Sequence, residues 1–352
     1  MVKYHKDIGS GDTAGDTITV ETVYANHAKG VTAMPAKLNY GPEDRFAPIP
    51  PWEKSLQTVT AELFVRVPDA KGSLEGLCFD RKGDLYCTEV NQGRILKVDM
   101  QTKEVTTVWR ADPERGHKIA AVKIHKDGRL FVAICSQGGR ALMKHSNVGG
   151  IMVMNPDGTD ASFLIEGYNI NDLCFDRDGG FVFGEYIGTF QEPKGGVYRV
   201  DPSFQKITPV LTGLASPNGV CLSKDGRTLW VAEMATGFII RYLIEEQLGY
   251  VPYHTVGGQG PDSVSIDNDD NLYVAMYRQG RYLVFNREGH PIGQILLPNR
   301  EKGHNLNSTH AMCRPGKEEV YLTGYDYTGD EGAAIYVAGS FAKGNEEAYQ
   351  FQ

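Results

Sequence analysis

The chain has 352 residues, of which 41% are hydrophobic, 10% aromatic and 23% charged. This composition excludes general disorder and is typical of a globular protein with a substantial core. Lysine and arginine number 36 against 44 aspartate and glutamate residues, which leaves a net charge of −8, and no basic cluster is visible, so a nucleic-acid partner is not expected.

The chain carries no long apolar segment. Its longest apolar runs, such as residues 237–240, fall far short of the roughly 20 residues that span a bilayer, and the beginning of the chain lacks the apolar core of a signal peptide. We therefore expect neither membrane association nor export. Six cysteines lie inside apolar, strand-like runs, which suits free thiols in a reducing compartment and favours a cytoplasmic protein.

Residues 1–56 are rich in Gly, Thr, Ala and Pro and show no sustained periodicity. They are predicted to form an N-terminal extension that is either draped over the folded body or partly mobile. The next segment, residues 58–65, has the pattern of a single strand. It precedes the first of a series of repeats.

Six segments share one pattern: an apolar strand, a polar turn that often contains Asp-Gly, and a second strand. They begin at Leu77, Val122, Leu173, Val220, Val264 and Met312, about every 45 to 50 residues. A third strand, often opened by glycine, follows each pair, and usually a fourth, more polar strand. Strands joined in this way at this period are typical of antiparallel four-stranded blades. The sequence therefore predicts an all-β fold, a six-bladed β-propeller over residues 57–352.

The last repeat is followed by too little chain for a fourth strand of its own. We predict that the early strand at 58–65 closes this last blade. Four cysteines, Cys78, Cys174, Cys221 and Cys313, occupy equivalent positions in their blades. This placement sets them around the ring rather than beside one another, which disfavours disulfide pairing.

One position of the repeat carries mostly polar residues. Two residues before the first apolar residue of each unit stand Glu75, Ala120, Asn171, Asn218, Asp262 and His310. Because the first strand of every propeller blade lines the central channel, these side chains are expected to meet at one mouth. Taken singly, the Asn and Asp residues read as turn residues and His310 as a core histidine. Blade packing does not require two carboxylates, two carboxamides and an imidazole together, so the set indicates a site.

Two carboxylates confined to one funnel repel each other and must either take up protons or share a cation. Glu75 and Asp262, with the amide oxygens of Asn171 and Asn218, form an oxygen-only set that suits Ca²⁺, with Mg²⁺ and Mn²⁺ as alternatives and zinc disfavoured. The two ligand charges balance a divalent ion, and a shell left partly open to water suits Lewis-acid catalysis.

Four short motifs carry a family resemblance: residues 74–77 (Leu-Glu-Gly-Leu), 170–172 (Ile-Asn-Asp), 217–220 (Pro-Asn-Gly-Val) and 260–263 (Gly-Pro-Asp-Ser). They resemble the metal-site motifs of the gluconolactonase, regucalcin and senescence-marker family of calcium-dependent six-bladed propellers. The resemblance extends from about residue 57 to the end of the chain. It implies that Glu75, Asn171, Asn218 and Asp262 bind a catalytic calcium beside Ser263, and that Asp262 is the acid and base.

The same resemblance points to a second, structural calcium around Asn147, Val148 and Gly149. The segment at 165–169, which precedes Asn171, is shorter than that site requires, so we do not expect it here.

Substrate contacts are expected from the mouth that carries the ring residues. His310 is a candidate for contact with the substrate or with a metal ligand, and Ala120 leaves one side of the ring open. For the surrounding loop residues a solvated turn is the plain alternative in each case. The loop candidates are His117, Tyr186 and Glu233, with Tyr168, Asn305, Glu89, Glu185 and Tyr277 as further positions.

We expect a calcium-dependent lactonase that opens a small-molecule lactone to its hydroxy acid, through metal polarisation of the carbonyl and carboxylate-assisted attack of water. Two alternatives stay open, because fold alone does not decide between them. One is another hydrolase or lyase on the same metal site, such as a phosphotriesterase. The other is a non-catalytic, calcium-binding propeller. No protein partner is evident.

Overall fold

The computed structural model describes residues 48–67, 69–112, 114, 117–135, 149–329 and 331–345. Most of the predicted N-terminal extension, residues 1–47, lies outside these ranges. Asn147 and Val148, at the second calcium position that we do not expect to be retained, also lie outside them. The described chain begins with a 3-10 turn, Pro51–Glu53, and two short strands, β1 (Gln57–Thr60) and β2 (Glu62–Arg66).

The strands that follow form six blades, each an antiparallel sheet in chain order. Blades one to three contain β3 (Leu74–Phe79), β4 (Leu85–Glu89), β5 (Arg94–Val98), β6 (Val105–Arg110); β7 (Lys118–Ile124), β8 (Leu130–Cys135), β9 (Gly150–Met154), β10 (Ser162–Glu166); and β11 (Ile170–Phe175), β12 (Phe181–Glu185), β13 (Gly195–Val200), β14 (Ile207–Leu214). Blades four to six contain β15 (Pro217–Leu222), β16 (Thr228–Glu233), β17 (Phe238–Leu243), β18 (Leu248–His254); β19 (Pro261–Ile266), β20 (Leu272–Met276), β21 (Arg281–Phe285), β22 (Pro291–Leu296); and β23 (Asn307–Cys313), β24 (Glu319–Tyr325), β25 (Ala333–Gly339). A second 3-10 turn, Arg300–Lys302, separates blades five and six.

The first strands of the blades contact one another in a closed ring, β3 with β7, β7 with β11 and so on until β23 meets β3 again. Burial follows this arrangement. Every residue of β3, β15 and β19 is buried, whereas the outermost strand β18 is mostly exposed. A strand that is covered on both faces is buried along its whole length. The predicted six-bladed propeller is confirmed, with the first strands around the axis.

Asp-Gly turns join the first and second strands of several blades. In blade three, Asp176 Oδ1 accepts hydrogen bonds from the backbone N–H groups of Asp178, Gly179 and Gly180 at 2.9–3.0 Å. Gly179 has a φ of +98°, a conformation that glycine adopts without steric cost. These turns follow the C-terminal ends of the first strands, so the ring residues, which lie near the N-terminal ends, are at the opposite end of the channel.

The N-terminal strands close the ring, but they do so as two strands rather than one. β2 pairs antiparallel with β25, with Leu63 opposite Tyr336, and completes blade six, which confirms the predicted closure. The prediction of one strand over 58–65 is wrong. The strand breaks at Ala61, whose N–H donates to the Leu296 carbonyl at 2.9 Å, and β1 pairs in parallel with β22 as a fifth strand of blade five. The chain crosses from one blade edge to the next, and a single strand cannot pair with both.

A buried ion pair fastens the segment before β1 to blade five. The side chains of Glu53 and Arg281 are 1% and 0% exposed, and Arg281 Nη1 donates to Glu53 Oε2. The Tyr253 hydroxyl also donates to the Glu53 carboxylate, and Gln294 Nε2 donates to the Glu53 carbonyl at 3.1 Å. Residues 48–56 therefore pack on the propeller, while the division of the chain at residues 56 and 57 stays a prediction.

The six cysteines are free thiols, as the sequence predicts. The Cys174 thiol donates to the Phe175 carbonyl at 3.6 Å and the Cys221 thiol to the Leu222 carbonyl at 3.5 Å. The expectation that the four equivalent cysteines lie apart stays a prediction. In the part of the chain that the structure describes, no helix is long and apolar enough to cross a membrane.

Replacing Glu53 by Gln is expected to destabilise the protein, because Arg281 would stay charged and buried without its counter-ion. Breaking a buried ion pair costs about 3–5 kcal/mol, so the midpoint of guanidinium denaturation should fall clearly. The matched control is Glu62→Gln on β2, where the side chain is exposed and the change should stay within about 0.5 kcal/mol. An unchanged midpoint for Glu53→Gln would mean that the pair contributes nothing to stability.

Candidate active site

The ring residues predicted from the repeat all lie on the first strands of their blades. All are buried, with exposed fractions between 0 and 8%. Because these strands form a closed ring, their equivalent positions lie at the same end of the channel. In the order of blades one to six they are Glu75, Ala120, Asn171, Asn218, Asp262 and His310.

Two glycines allow the strands that carry the ring to approach closely. Gly76 follows Glu75 and has a φ of +60°, and a Cβ there would lie 2.5 Å from the Ala121 Cα. Gly219 follows Asn218, and a Cβ there would lie 2.5 Å from the Val264 backbone nitrogen. Real Cβ atoms do not come this near to backbone atoms. A larger residue at either position would push neighbouring first strands, and their polar side chains, apart.

The two carboxylates of the ring repel each other. The pKa of Glu75 is raised well above its ordinary value, first by burial and then by the negative charges of Asp262 and Asp172, while Lys118 acts in the opposite direction. Like charges held together in a buried site favour either a proton or a bound cation. The electrostatics therefore place Glu75 and Asp262 in one funnel, as the repeat predicts.

Three buried oxygen atoms of the ring are available for a ligand. Glu75 Oε2, Asn171 Oδ1 and Asn218 Oδ1 have no hydrogen-bond partner among the residues that the structure describes. Buried polar atoms are rarely left in this state unless water, an ion or a ligand satisfies them. An oxygen-only donor set of this kind fits a hard divalent cation. Within the described ranges, no group of three His, Cys, Asp or Glu side chains has metal-binding geometry.

A methionine that the sequence did not indicate orients one of these amides. Asn218 Nδ2 donates to Met234 Sδ at 3.8 Å, which leaves Asn218 Oδ1 for the funnel. The Tyr186 hydroxyl donates to the same sulfur at 3.0 Å. Met234 thus joins a predicted substrate contact, Tyr186, to a predicted metal ligand. The only feature of the sequence that could have indicated Met234 is its position directly after Glu233, the last residue of β16.

His310 is neutral in this structure and accepts a hydrogen bond. Its Nδ1 accepts the backbone N–H of Leu77, so the ring proton resides on Nε2. Burial, and secondarily the positive charge of Lys123, hold the His310 pKa well below its ordinary value. Nε2 has no hydrogen-bond partner in the described chain. His310 can therefore donate to a bound ligand, while a metal ligand would need a lone pair at this nitrogen.

A buried ion pair below the ring is the second feature that sequence reasoning missed. Asp172 Oδ1 accepts the Leu173 N–H at 2.9 Å and lies 3.6 Å from Lys123 Nζ. Burial disfavours the charge of Lys123, but Asp172, together with smaller contributions from Cys78, Cys174 and Cys221, outweighs burial, and the Lys123 pKa is raised. When ionised, Glu75, Asp172 and Asp262 with Lys123 leave two negative charges in the channel. In the repeat, Asp172 stands where blades one and four have Gly76 and Gly219, and this contrast could have identified it.

The remaining predicted residues lie at the same mouth in different environments. Ser263 is 2% exposed and follows Asp262. Glu233 accepts hydrogen bonds from the Ala215 N–H at 2.7 Å and from the Thr236 hydroxyl, so its carboxylate holds a loop together. His117 packs edge-on against Phe163, with ring centroids 5.7 Å apart. The roles of His117, Glu233 and Ser263 in binding stay predictions.

An aromatic pair forms part of the rim. The hydroxyls of Tyr277 and Tyr327 are 3.5 Å apart, and the Arg278 guanidinium lies over both rings, at 5.8 and 5.4 Å from their centroids. Burial, Tyr327 and then the charges of Asp262 and Glu75 raise the pKa of Tyr277. This places Tyr277 near the ring carboxylates. Tyr327, which is 54% exposed, lies in the equivalent loop after the second strand of blade six and is not among the residues that the sequence predicts.

Comparison with known proteins identifies the family of the chain. Residues 74–306 match the family described as SMP-30/Gluconolactonase/LRE-like region. The chain is 45% identical over 320 residues to lactonase drp35 of Staphylococcus saprophyticus, which covers 88% of this chain and 95% of the relative. The chain belongs to the SMP-30/gluconolactonase/LRE-like family. It is also 42% identical over 313 residues to lactonase drp35 of Staphylococcus aureus strain MRSA252, which covers 85% and 93% of the two chains.

Solved structures of more distant proteins share the fold. Regucalcin from Agrobacterium tumefaciens, described as a calcium-binding protein, superposes with a TM-score of 0.63 at 14% identity, over 83% of this chain and 98% of its own. A gluconolactonase from Xanthomonas campestris superposes with a TM-score of 0.59 at 18% identity, over 81% and 96%. The family resemblance inferred from the four sequence motifs is confirmed.

The buried, neutral state of His310 predicts a pH-dependent loss of stability. The unfolded chain takes up a proton at His310 below its ordinary pKa of about 6.5, whereas the folded chain does not until its lower pKa is reached. Stability should therefore fall as the pH falls, by about 1.4 kcal/mol from this residue between pH 7.5 and 5.5. Denaturation of wild type and of His310→Gln, whose amide can still accept from Leu77, measures the difference. Parallel losses in both proteins would contradict the prediction.

Proposed function

We propose that this chain is a hydrolase that opens a lactone ring to the corresponding hydroxy acid. The observation that carries the proposal is the set of buried, unpartnered oxygen atoms of Glu75, Asn171 and Asn218 beside Asp262. Curated relatives that are 41–45% identical and bear the name lactonase drp35 support this reaction class. A lactone is small enough to enter the mouth of a propeller channel, where these groups meet.

We infer that Glu75, Asn171, Asn218 and Asp262 would hold Ca²⁺, with Ser263 adjacent. Carboxylate and amide oxygens are the ligands that Ca²⁺ prefers, and Mg²⁺ and Mn²⁺ share this preference. When bound, such a cation supplies Lewis acidity that polarises the lactone carbonyl. The neighbouring Asp172 and Lys123 adjust the charge of the funnel so that two negative charges face the site.

Asp262 is the proposed general base and general acid. Its carboxylate takes a proton from water, and the water oxygen forms a bond to the lactone carbonyl carbon. When the tetrahedral intermediate collapses, the bond between this carbon and the ring oxygen breaks, and Asp262 returns the proton to the ring oxygen. The product is the hydroxy acid and the carboxylate is regenerated. General-base assistance of this kind contributes about 10²- to 10⁴-fold.

Other residues of the mouth are assigned to binding. His310 Nε2–H would donate a hydrogen bond to the carbonyl oxygen as negative charge develops on it, which stabilises the transition state more than the substrate. Tyr186 shares the Met234 sulfur with Asn218 and so lies beside the proposed metal ligands. Ala120 leaves space on the blade-two side for the body of the lactone. His117 and Glu233 are the further substrate-binding candidates.

We propose a cytoplasmic location for the enzyme. All six cysteines are free thiols. Free thiols persist in a reducing compartment.

The proposed reaction predicts calcium-dependent acid release from lactones. A pH-stat assay with aldonolactones, aliphatic γ- and δ-lactones and dihydrocoumarin should show turnover that stops on chelation and returns with added Ca²⁺. Glu75→Gln should lower kcat/KM by more than about 100-fold, because the loss of a direct ligand exceeds the usual effect of a residue that only supports one. The exposed Glu62→Gln change on β2 is the control and should leave activity at the wild-type level.

Two results would contradict the lactonase assignment. Faster hydrolysis of an organophosphate triester than of any lactone would assign a phosphotriesterase to the same site. Calcium binding measured by calorimetry, without turnover of either substrate class, would assign a non-catalytic calcium-binding propeller.

The contact between Asn218 and Met234 predicts a metal-affinity effect at a residue that is not itself a ligand. Met234→Leu keeps the apolar volume but removes the sulfur that accepts from Asn218 Nδ2, so the amide is less well oriented. Calorimetry should show Ca²⁺ affinity reduced by up to about tenfold. Met154→Leu makes the same chemical change at a buried position of blade two and should leave the affinity unchanged. Equal affinities for both variants would remove Met234 from the description of the site.

A further inference from the structure

The end of the channel opposite to the ring residues opens into a cavity, here called the lower cavity. Its volume is about 90 Å³, smaller than the roughly 150 Å³ that accommodates benzene, so it has room for about three or four carbon atoms. It lies among the residues that end the first strands of the blades. The apolar side chains on its walls include Phe79, Phe175, Leu222, Ile266, Met312 and Pro315.

Two buried polar side chains also line the lower cavity, Ser265 and Lys123. Ser265 is 4% exposed, and its Oγ has no hydrogen-bond partner among the described residues. Lys123 is 7% exposed, and its Nζ lies 3.6 Å from Asp172 Oδ1, which is longer than a hydrogen bond. A buried hydroxyl is rarely left without a partner. The inner part of the cavity therefore offers hydrogen bonds to an oxygen atom.

A groove of about 390 Å³ continues the lower cavity onto the surface between blades one and six. The cavity and the groove share the side chains of Phe79 and Pro315. We call it the basic groove, because four cations and one carboxylate line it. These residues are Arg81, Lys82, Arg314, Lys317 and Asp80.

The charges of the basic groove favour an anion. Its one carboxylate is compensated from outside, since Lys97 Nζ lies 3.3 Å from Asp80 Oδ2. Of the four cations, Arg314 is paired with Glu319 at 3.1 Å. The other three form no ion pair with a described residue. An excess of positive charge thus lies at the entrance to an apolar cavity.

We propose that the lower cavity and the basic groove together bind a small amphiphilic hydroxy acid of about four to six carbon atoms. Its carboxylate lies in the basic groove, its alkyl chain fills the lower cavity, and its hydroxyl reaches Ser265 and Lys123. A second carboxylate does not suit the inner end, because Asp172 already supplies one negative charge to Lys123. This binding is independent of the proposed lactone hydrolysis, whose site lies at the other end of the channel.

The test titrates the full chain, labelled with ¹³C-methyl methionine and kept in EDTA, with 6-hydroxyhexanoate. Met312 lines the lower cavity, whereas Met234 contacts Asn218 of the ring, so their methyl signals report on opposite ends of the channel. Each signal is assigned by its Met→Leu variant. The Met312 signal should shift and saturate while the Met234 signal stays in place.

Related compounds test each part of the ligand. 4-Hydroxybutanoate should bind more weakly, by about fourfold for each methylene removed. 1,6-Hexanediol, which lacks the charge, and hexanoate, which lacks the hydroxyl, should both bind more weakly than 6-hydroxyhexanoate. Inorganic phosphate alone should leave the Met312 signal unchanged.

Two kinds of variant connect these preferences to the named side chains. Ser265→Ala should weaken 6-hydroxyhexanoate binding by about three- to tenfold and leave hexanoate binding unchanged. The double variant Lys82→Gln/Lys317→Gln should weaken both acids by about two- to tenfold without affecting the diol. The control is Lys54→Gln/Lys206→Gln, which removes two exposed lysines elsewhere and should leave all affinities unchanged.

Four results would overturn the proposal. They are a Met312 signal that no compound shifts, a shift of Met234 in its place, binding of the diol as tight as that of the hydroxy acid, and equal losses in the two double variants. The wild-type titration decides the first three even where a variant folds poorly, and it requires no enzymatic activity.

Discussion

Repulsion between Glu75 and Asp262, two carboxylates buried at the axis of a closed ring of strands, is the constraint around which the rest of the site is arranged. Nothing in the packing of six blades requires these charges, and each costs free energy to bury. Oriented amide oxygens lie beside the two carboxylates, Lys123 is buried below them, and His310 is neutral rather than charged. The amide oxygens offer ligands to a cation and the neutral His310 adds no positive charge, while the positive charge of Lys123 is compensated by Asp172.

The propeller axis separates two kinds of chemistry along the same strands. Hard oxygen atoms lie at one end, and three residues further on stand Cys78, Cys174, Cys221 and Cys313 with Lys123, which pairs with Asp172. On a regular strand residues three apart point to opposite faces, and the first strands carry a register shift near these positions, as between Glu75 and Cys78. A change of backbone position in one first strand would be felt by both sets of side chains.

Much of this could be predicted from the sequence because the repeat translates directly into position. The turn at Asp176 and Gly179 recurs in several blades, so the alignment of the units identified the blades, their first strands and the ring from Glu75 to His310. Contacts between blades could not be predicted from the sequence. The ion pair of Lys123 with Asp172 depends on how far the first strands of neighbouring blades converge, which no repeat unit encodes by itself. The break at Ala61 was missed for a related reason, since both halves of 58–65 favour a strand and only the spacing of two blade edges separates them.

Closure by β2 and β25 also determines when the site comes into being. β2 is synthesised before the six blades, but its partner β25 is the last strand of the described chain to leave the ribosome. The ring therefore stays open during almost the whole of translation. Glu75 lies in blade one and Asp262 in blade five, and their meeting requires contacts between residues far apart in the chain, which form slowly. A nascent or truncated chain that ends before β25 would hold every proposed metal ligand and still lack the closed ring in which they meet.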